Sequence, residues 1–295
     1  MKDQPTRTEK DSLGAVEIPA DALWGAQTQR AIDNFRIDRP LPNTFIRAIA
    51  AIKCHAARAN AELGLLDERK AAAIITAATA IMEGAHAEQF PVDIFQTGSG
   101  TSSNMNVNEV IAHLCAEAGV TVHPNDDVNL GQSSNDTIPS AIHISAVLAL
   151  DTEFMPSLRT LRTHLQRRAD ELDTVVKPGR THLMDAMPVT FGQVLRGWDA
   201  QLAQAEKQLH HAANDLLALP QGGTAVGTGV NCDTRFPALF CQHLSAQTGH
   251  RFVPLENPFS GQGAIDRPLA LSAALRGYAV VLAKITNDLR WMSSG

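Results

Sequence analysis

The chain is poor in aromatic rings, in cysteine and in positive charge. Aromatic residues make up 5% of the 295, with a single tyrosine, while apolar residues reach 44% and alanine is abundant. A core with so few rings relies on close approach of small and aliphatic side chains, which favours packed helices over a β-sandwich. The four cysteines, Cys54, Cys115, Cys232 and Cys241, form no C-x-x-C pair. Neither a metal site nor a disulfide framework is indicated, and free buried thiols in a cytoplasmic protein are expected. A net charge of −6 without a basic run argues against a nucleic-acid partner. No apolar run approaches the ~20 residues of a membrane helix, and MKDQPTRTEKD at the start is not a signal peptide. No membrane association is expected. At this length about two domains are anticipated.

What the chain does have is polar loops that run straight into helical patterns. In Gly131-Gln132-Ser133-Ser134-Asn135-Asp136-Thr137-Ile138-Pro139, four small polar side chains stand in a row before an apolar-periodic segment. Ser, Asn and Asp are favoured helix caps, and Pro at a helix start is pre-set for the first turn. Capping needs one of these residues and leaves the others unexplained. The exposed N–H groups and positive dipole end of such a helix bind anions, carboxylates included.

A second loop of this kind spans residues 95–106, Phe-Gln-Thr-Gly-Ser-Gly-Thr-Ser-Ser-Asn-Met-Asn, and leads into Val107, Val110, Ile111, Leu114 and Cys115 on one helix face. Its glycines allow sharp turns and close backbone approach, and hydroxyls and amides surround them. The phosphate-loop pattern G-x-x-x-x-G-K-[ST] is absent. Between the two loops lies His123-Pro124-Asn125-Asp126-Asp127-Val128-Asn129, either a turn or a further anion contact. Thr181-His182 follows Pro178-Gly179 in what reads as a loop, where a near-neutral imidazole suits proton transfer or holding a water. Residues 222–229, GGTAVGTG, read as a structural turn.

Elsewhere helical periodicity dominates. Residues 1–40 read as irregular; helices follow with Ile49, Ile52 and Ala56, then Ile74 and Ala78, with Asp67 as a cap. Pro156 is expected to bend its helix. Phe191, Leu195, Trp198, Leu202, Ala205, Leu209, Ala212 and Leu216 alternate spacings of four and three over roughly 40 Å of helix. Leu271, Leu275, Tyr278, Leu282, Ile285, Leu289 and Met292 do the same. Sustained heptads mean helices packed side by side in a bundle, and apolar edges this long suggest association with other subunits.

These stretches together resemble the class II fumarate hydratases, the metal-independent fumarases of the fumarase/aspartase superfamily. The motifs that carry the resemblance are LWGAQTQR (23–30), TGSGTSSNMNVNEV (97–110), HPNDDVN (123–129), GQSSND (131–136), GRTHLMDA (179–186) and GGTAVGTG (222–229). The resemblance implies an all-α fold with a mostly helical N-terminal domain (1–132) and a long central helical bundle (133–295). It also implies a homotetramer whose active sites are assembled from three subunits, with no metal or other cofactor. By position, Ser99, Gly100, Thr101 and Asn104 resemble residues that hold a substrate carboxylate. Ser133, Ser134, Asn135 and Thr181 resemble further substrate contacts, and His182 the catalytic His that works with a bound water. His123, Pro124, Asn125 and Asp126 resemble a secondary dicarboxylate site, with Val120 where relatives often carry an arginine.

The implied reaction is the reversible hydration of fumarate to L-malate in the tricarboxylic acid cycle. Removing a proton beside a carboxylate makes an aci-carboxylate, which preorganised N–H, OH and amide donors stabilise as an oxyanion hole does. Two departures from the family pattern stand out. The G-S-S-x-M-P-x-K-x-N loop, taken to supply the base serine and a lysine, does not occur in residues 1–295, nor does the small C-terminal domain. The bundle is therefore expected to be incomplete and the chain alone nearly inactive. Aspartate ammonia-lyase, mesaconate hydratase and a non-catalytic helical assembly are the competing readings.

Overall fold

The computed structural model describes residues 5–294. The elements in order are β1 (Thr6–Asp11), β2 (Gly14–Pro19), α1 (Ala26–Asn34), α2 (Asn43–Glu62), α3 (Glu68–Met82), α4 (Thr101–Glu117), α5 (Ser134–Ala149) and α6 (Met155–Glu171). They continue with β3 (Val176–Thr181), β4 (Met184–Thr190), α7 (Phe191–Asp215), β5 (Ala218–Leu219), α8 (Phe236–Thr248), β6 (Val253–Pro254), α9 (Pro258–Gly263) and α10 (Asp266–Met292). Among the described residues the strands form only two-stranded pairs, so the fold is all-α in character.

The residues divide into two compact units: one runs up to Ser145 and takes in Leu217–Ile265, the other joins Ala146–Leu216 to the segment from Asp266 onward. The sequence places its boundary at 132/133, at the loop before α5. The compact division instead falls within α5, because its first turns are tied to Gly222 and Thr224 by the Asp136 carboxylate.

In the first unit α2 is the central helix. Every residue from Ala48 to Ala57 is buried, and its alanines let α3, α4 and α8 come close on different sides. Ile49 and Ile52 meet a core that includes Ile74, Val107, Val110, Ile111, Phe236 and Phe240, all fully buried. Asp67 caps α3 as expected, accepting from the N–H groups of Arg69 and Lys70 at 3.0 and 3.1 Å.

The expectation of irregular structure over residues 1–40 is corrected by a hairpin and a helix. β1 and β2 pair from Thr6–Pro19 to Asp11–Gly14, and Arg30 forks onto Asp11 with two contacts of 3.0 Å. β1 (TRTEKD) is entirely polar and β2 has only Val16 and Ile18 alternating inward, so their pairing left little trace in the pattern. Glu109 of α4 caps α1, its carboxylate accepting from the N–H groups of Gly25, Gln27 and Thr28 and from the Thr28 hydroxyl.

In the second unit α7 packs between α6 and α10. The α7 stripe is core: Leu195, Trp198, Leu202, Ala205, Leu209, Ala212 and Leu216 are all buried. Trp198 Nε1 donates to Asp288 at 3.0 Å, and Arg162 of α6 pairs with Asp199 and Glu206 of α7. The α10 stripe differs from expectation, since only Leu271 and Ile285 are buried and Leu289 is 46% exposed. By length and hydropathy α10 could cross a membrane, with 11% of its most apolar window buried. Arg276 and Lys284 interrupt it, which is why the sequence shows no long uncharged run. Pro156 sits in the first turn of α6, directly after a π-turn at Leu150–Phe154 that accommodates its missing N–H.

Candidate active site

α5 begins at Ser134, so Pro139 lies a full turn inside the helix rather than at its start. Capping is accounted for by two of the four polar residues. The Asn135 N–H donates to Ser133 Oγ at 3.2 Å, and the Ser133 N–H donates to Asp136 at 2.8 Å, a reciprocal pair of the capping-box kind. Ser134 and Asn135 are left for other work. Asn135 is exposed and donates from Nδ2 to the Ala225 carbonyl at 2.7 Å. Ser134 Oγ accepts from Asn104 Nδ2 at 3.0 Å.

That last bond joins the first turns of two helices. α4 starts after Gly100, whose φ of +69° is a backbone that side chains adopt only under strain. A methyl there would also stand 2.9 Å from the Ile138 side chain of α5. Gln96 takes the Ser103 N–H at 3.0 Å, while helix geometry leaves Thr101 and Ser102 N–H groups without an intrahelical partner. Ser99 and Thr101 hydroxyls lie 3.0 Å apart at this end. Two positive helix ends carrying hydroxyl and amide donors therefore converge, an arrangement suited to an anion. A cleft of about 430 Å³ adjoins them, lined by Ser99, Asn135, Ile138, Ala225, Val226 and Phe259 among others.

Behind this face lie residues that the sequence reading quoted but did not assign, or passed over. Lys53 is completely buried and donates to Asn129 Oδ1 at 2.8 Å and Gln132 Oε1 at 3.0 Å. Asn129 Oδ1 also accepts from Asn104 at 3.2 Å and Asn108 at 3.4 Å. Burial lowers the Lys53 ammonium to about 7, against the pull of the Asp136 charge. Asp136, equally buried, is pushed up by burial to about 6, although the N–H groups of Ser133, Thr224 and Gly222 favour its charged form. The signal for Lys53 was present: one lysine inside the apolar run Ala48–Ala57. In the GGTAVGTG turn the Gly222 and Thr224 N–H groups hold Asp136 at 3.0 and 2.8 Å.

Thr181 and His182 belong to the second unit. They lie not in a loop but at the tip of the β3–β4 hairpin, where His182 and Leu183 both have positive φ (52° and 62°). This is the geometry of a tight two-residue turn, and both Thr181 and His182 are exposed. His123 precedes a π-turn at Pro124–Val128, and its Nδ1 accepts from the Asn125 and Asp126 N–H groups at 3.3 and 3.1 Å. Asp127 next to it pairs with Lys70 at 2.8 Å. His123, Pro124 and Asn125 line a cleft of about 460 Å³ with Arg7, Lys10 and Trp24 among its walls; Asp126 is exposed beside it.

Two donor-rich helix ends turned toward one place in a mostly helical protein make an arrangement that suits an anion. The chain belongs to the lyase family, which it matches over residues 14–295. It is 53% identical to the class II fumarate hydratase of Xylella fastidiosa and 51% identical to that of Mycobacterium tuberculosis, over 98% of this chain in each case. Among solved structures, a class II fumarase from Schistosoma mansoni matches with a TM-score of 0.97 at 37% identity, covering 99% of this chain and 66% of that one. A fumarate lyase:delta crystallin from Brucella melitensis in native form matches with a TM-score of 0.91 at 39% identity, covering 99% of this chain and 68% of that one. The chain spans 62% and 61% of the lengths of the first two relatives. The family and the fold read from the motifs thus hold over nearly all of it.

Proposed function

We propose that this chain carries the carboxylate-binding part of a class II fumarate hydratase, which interconverts fumarate and L-malate. The observation that carries the reading is the Asn104–Ser134 hydrogen bond, which brings the N-termini of α4 and α5 together. In this reading Ser99, Gly100, Thr101, Asn104, Ser133, Ser134 and Asn135 surround a substrate carboxylate with hydroxyl, amide and N–H donors. From L-malate to fumarate, a base takes the proton from the carbon next to that carboxylate, and the electron pair moves onto it as an aci-carboxylate. Donors already aimed at the developing charge lower the barrier, because they need no reorganisation as it forms. The hydroxyl on the neighbouring carbon then leaves with a proton as water.

Thr181 and His182 are proposed as contributions to an active site completed by other copies of the chain, His182 as the group that handles water. A homotetramer fits the apolar face that α10 leaves uncovered in the second unit, where Leu269 and Val280 are each 64% exposed. Cytoplasmic residence is supported by four unpaired cysteines, and a role in the tricarboxylic acid cycle and metal-independence belong to the same reading. His123, Pro124, Asn125 and Asp126 are proposed as a secondary dicarboxylate site, supported by the cleft beside them.

The test follows fumarate absorbance with L-malate supplied, for this chain and for one extended through the segment its relatives carry. Fumarate should accumulate in the extended chain and respond to Ser134→Ala. Faster production from L-aspartate than from L-malate would replace the reading with an ammonia-lyase.

A further inference from the structure

We propose that Lys53 is a positioning residue that fixes, through Asn129 and Asn104, the direction of the Ser134 hydroxyl. The inference rests on the reading of Ser134 as a carboxylate contact. The Lys53 ammonium can only donate, and the side-chain atoms it reaches are acceptors: Asn129 Oδ1 at 2.8 Å and Gln132 Oε1 at 3.0 Å. As ammonium or as neutral amine the nitrogen keeps at least two N–H bonds, enough for both oxygens. Gln132 is locked by its own amide, which donates to the Val128 and Leu130 carbonyls, and Asn129 Nδ2 donates to the Gln132 carbonyl. Neither amide can turn over without facing a donor with a donor.

The consequence passes forward one amide at a time. With Oδ1 of Asn129 fixed toward the interior, the group Asn104 presents to it must be its Nδ2, at 3.2 Å. The second hydrogen of that same Nδ2 goes to Ser134 Oγ at 3.0 Å. Ser134 Oγ is therefore an acceptor on its inner side, and no acceptor among the described residues takes its proton. The hydroxyl proton is left to point away from Asn104, to the side where a carboxylate would sit. If Asn104 were turned over, its Oδ1, which has no partner in the buried interior, would accept the Ser134 proton. The site would then present a lone pair where it needs a donor. A buried cation three hydrogen bonds away thus sets the polarity of a hydrogen bond at the surface.

A double-substitution cycle on the full 295-residue chain, with fumarate affinity measured by calorimetry, tests this. Lys53→Met should weaken fumarate binding at least tenfold, and Ser134→Ala by a similar factor. In the Ser134→Ala background, Lys53→Met should add less than threefold, because the hydroxyl it directs is gone. Equal losses in both backgrounds would mean that Lys53 only supports the fold and would overturn the proposal; so would unchanged affinity in Lys53→Met. If Lys53→Met does not fold, Asn129→Leu removes the acceptor that Lys53 holds and carries the same expectations. Failure of the unsubstituted chain to bind fumarate sinks the carboxylate reading itself, before any substitution is made, and this inference with it.

Discussion

Glu109 offers the clearest test of how the N-terminal motifs work, because one carboxylate serves four donors. Oε1 accepts from the Gln27 N–H at 3.0 Å; Oε2 accepts from the Gly25 and Thr28 N–H groups at 3.0 and 3.1 Å and from the Thr28 hydroxyl at 2.6 Å. In Glu109→Gln the single remaining oxygen can keep the three donors of Oε2. The new amide then faces the Gln27 N–H, and a donor in a largely buried place loses its acceptor, which costs about 1–3 kcal/mol. Removing the negative charge from the N-terminus of α1 adds up to about 1 kcal/mol. The expected loss is about 2–4 kcal/mol, or roughly 5–15 °C in melting temperature for a domain of this size. Thermal unfolding followed by circular dichroism measures the loss, and amide exchange at Gly25, Gln27 and Thr28 shows where it occurs. A change below about 1 kcal/mol, with those amides still protected, would refute the assignment of Glu109 as the cap of α1.

Gly100→Ala should strain a backbone at φ +69° and press a methyl against Ile138, costing about 2–3 kcal/mol and weakening fumarate binding; titration calorimetry and a melting curve check both parts. His182→Asn should reduce turnover of the extended chain by about 10²–10⁴-fold while leaving the melting temperature almost unchanged, since the side chain is exposed at a hairpin tip; steady-state assay beside a melt separates the two. Asp136 titrates at about 6 in the fold against an ordinary 3.8, so its contribution to stability is full below pH 3.8 and is lost as pH rises through 6, about 3 kcal/mol in all. Asp136→Asn should remove that slope between pH 4 and 6.5, read as the difference between two urea-denaturation series.

Local information was enough for the helices that close their own account. Asp67 caps α3 through N–H groups two and three residues away, and the α7 stripe repeats at a period that holds in any packing. The polar loops at 97–106 and 131–136 were legible as helix starts because capping chemistry is written into neighbouring residues. The motif set carried the family, since each motif stands in order along the chain. What no local pattern holds is a partnership across distance. Glu109 caps a helix that begins more than eighty residues earlier, and β1 is polar throughout, with no apolar alternation to read. The open face of α10 has the same heptads as the covered face of α7; only the packing distinguishes Leu289 from Leu209. The site follows the same division. Ser134 and Asn104 are each visible as donors, thirty residues apart, but that they share a hydrogen bond is decided by α4 and α5 meeting at Gly100 and Ile138. In the sequence Lys53 is one charge in an apolar helix run. Burial, which depends on what α3, α4 and α8 place around it, turned that charge into a fixed donor, because a buried ammonium must find acceptors and hold them.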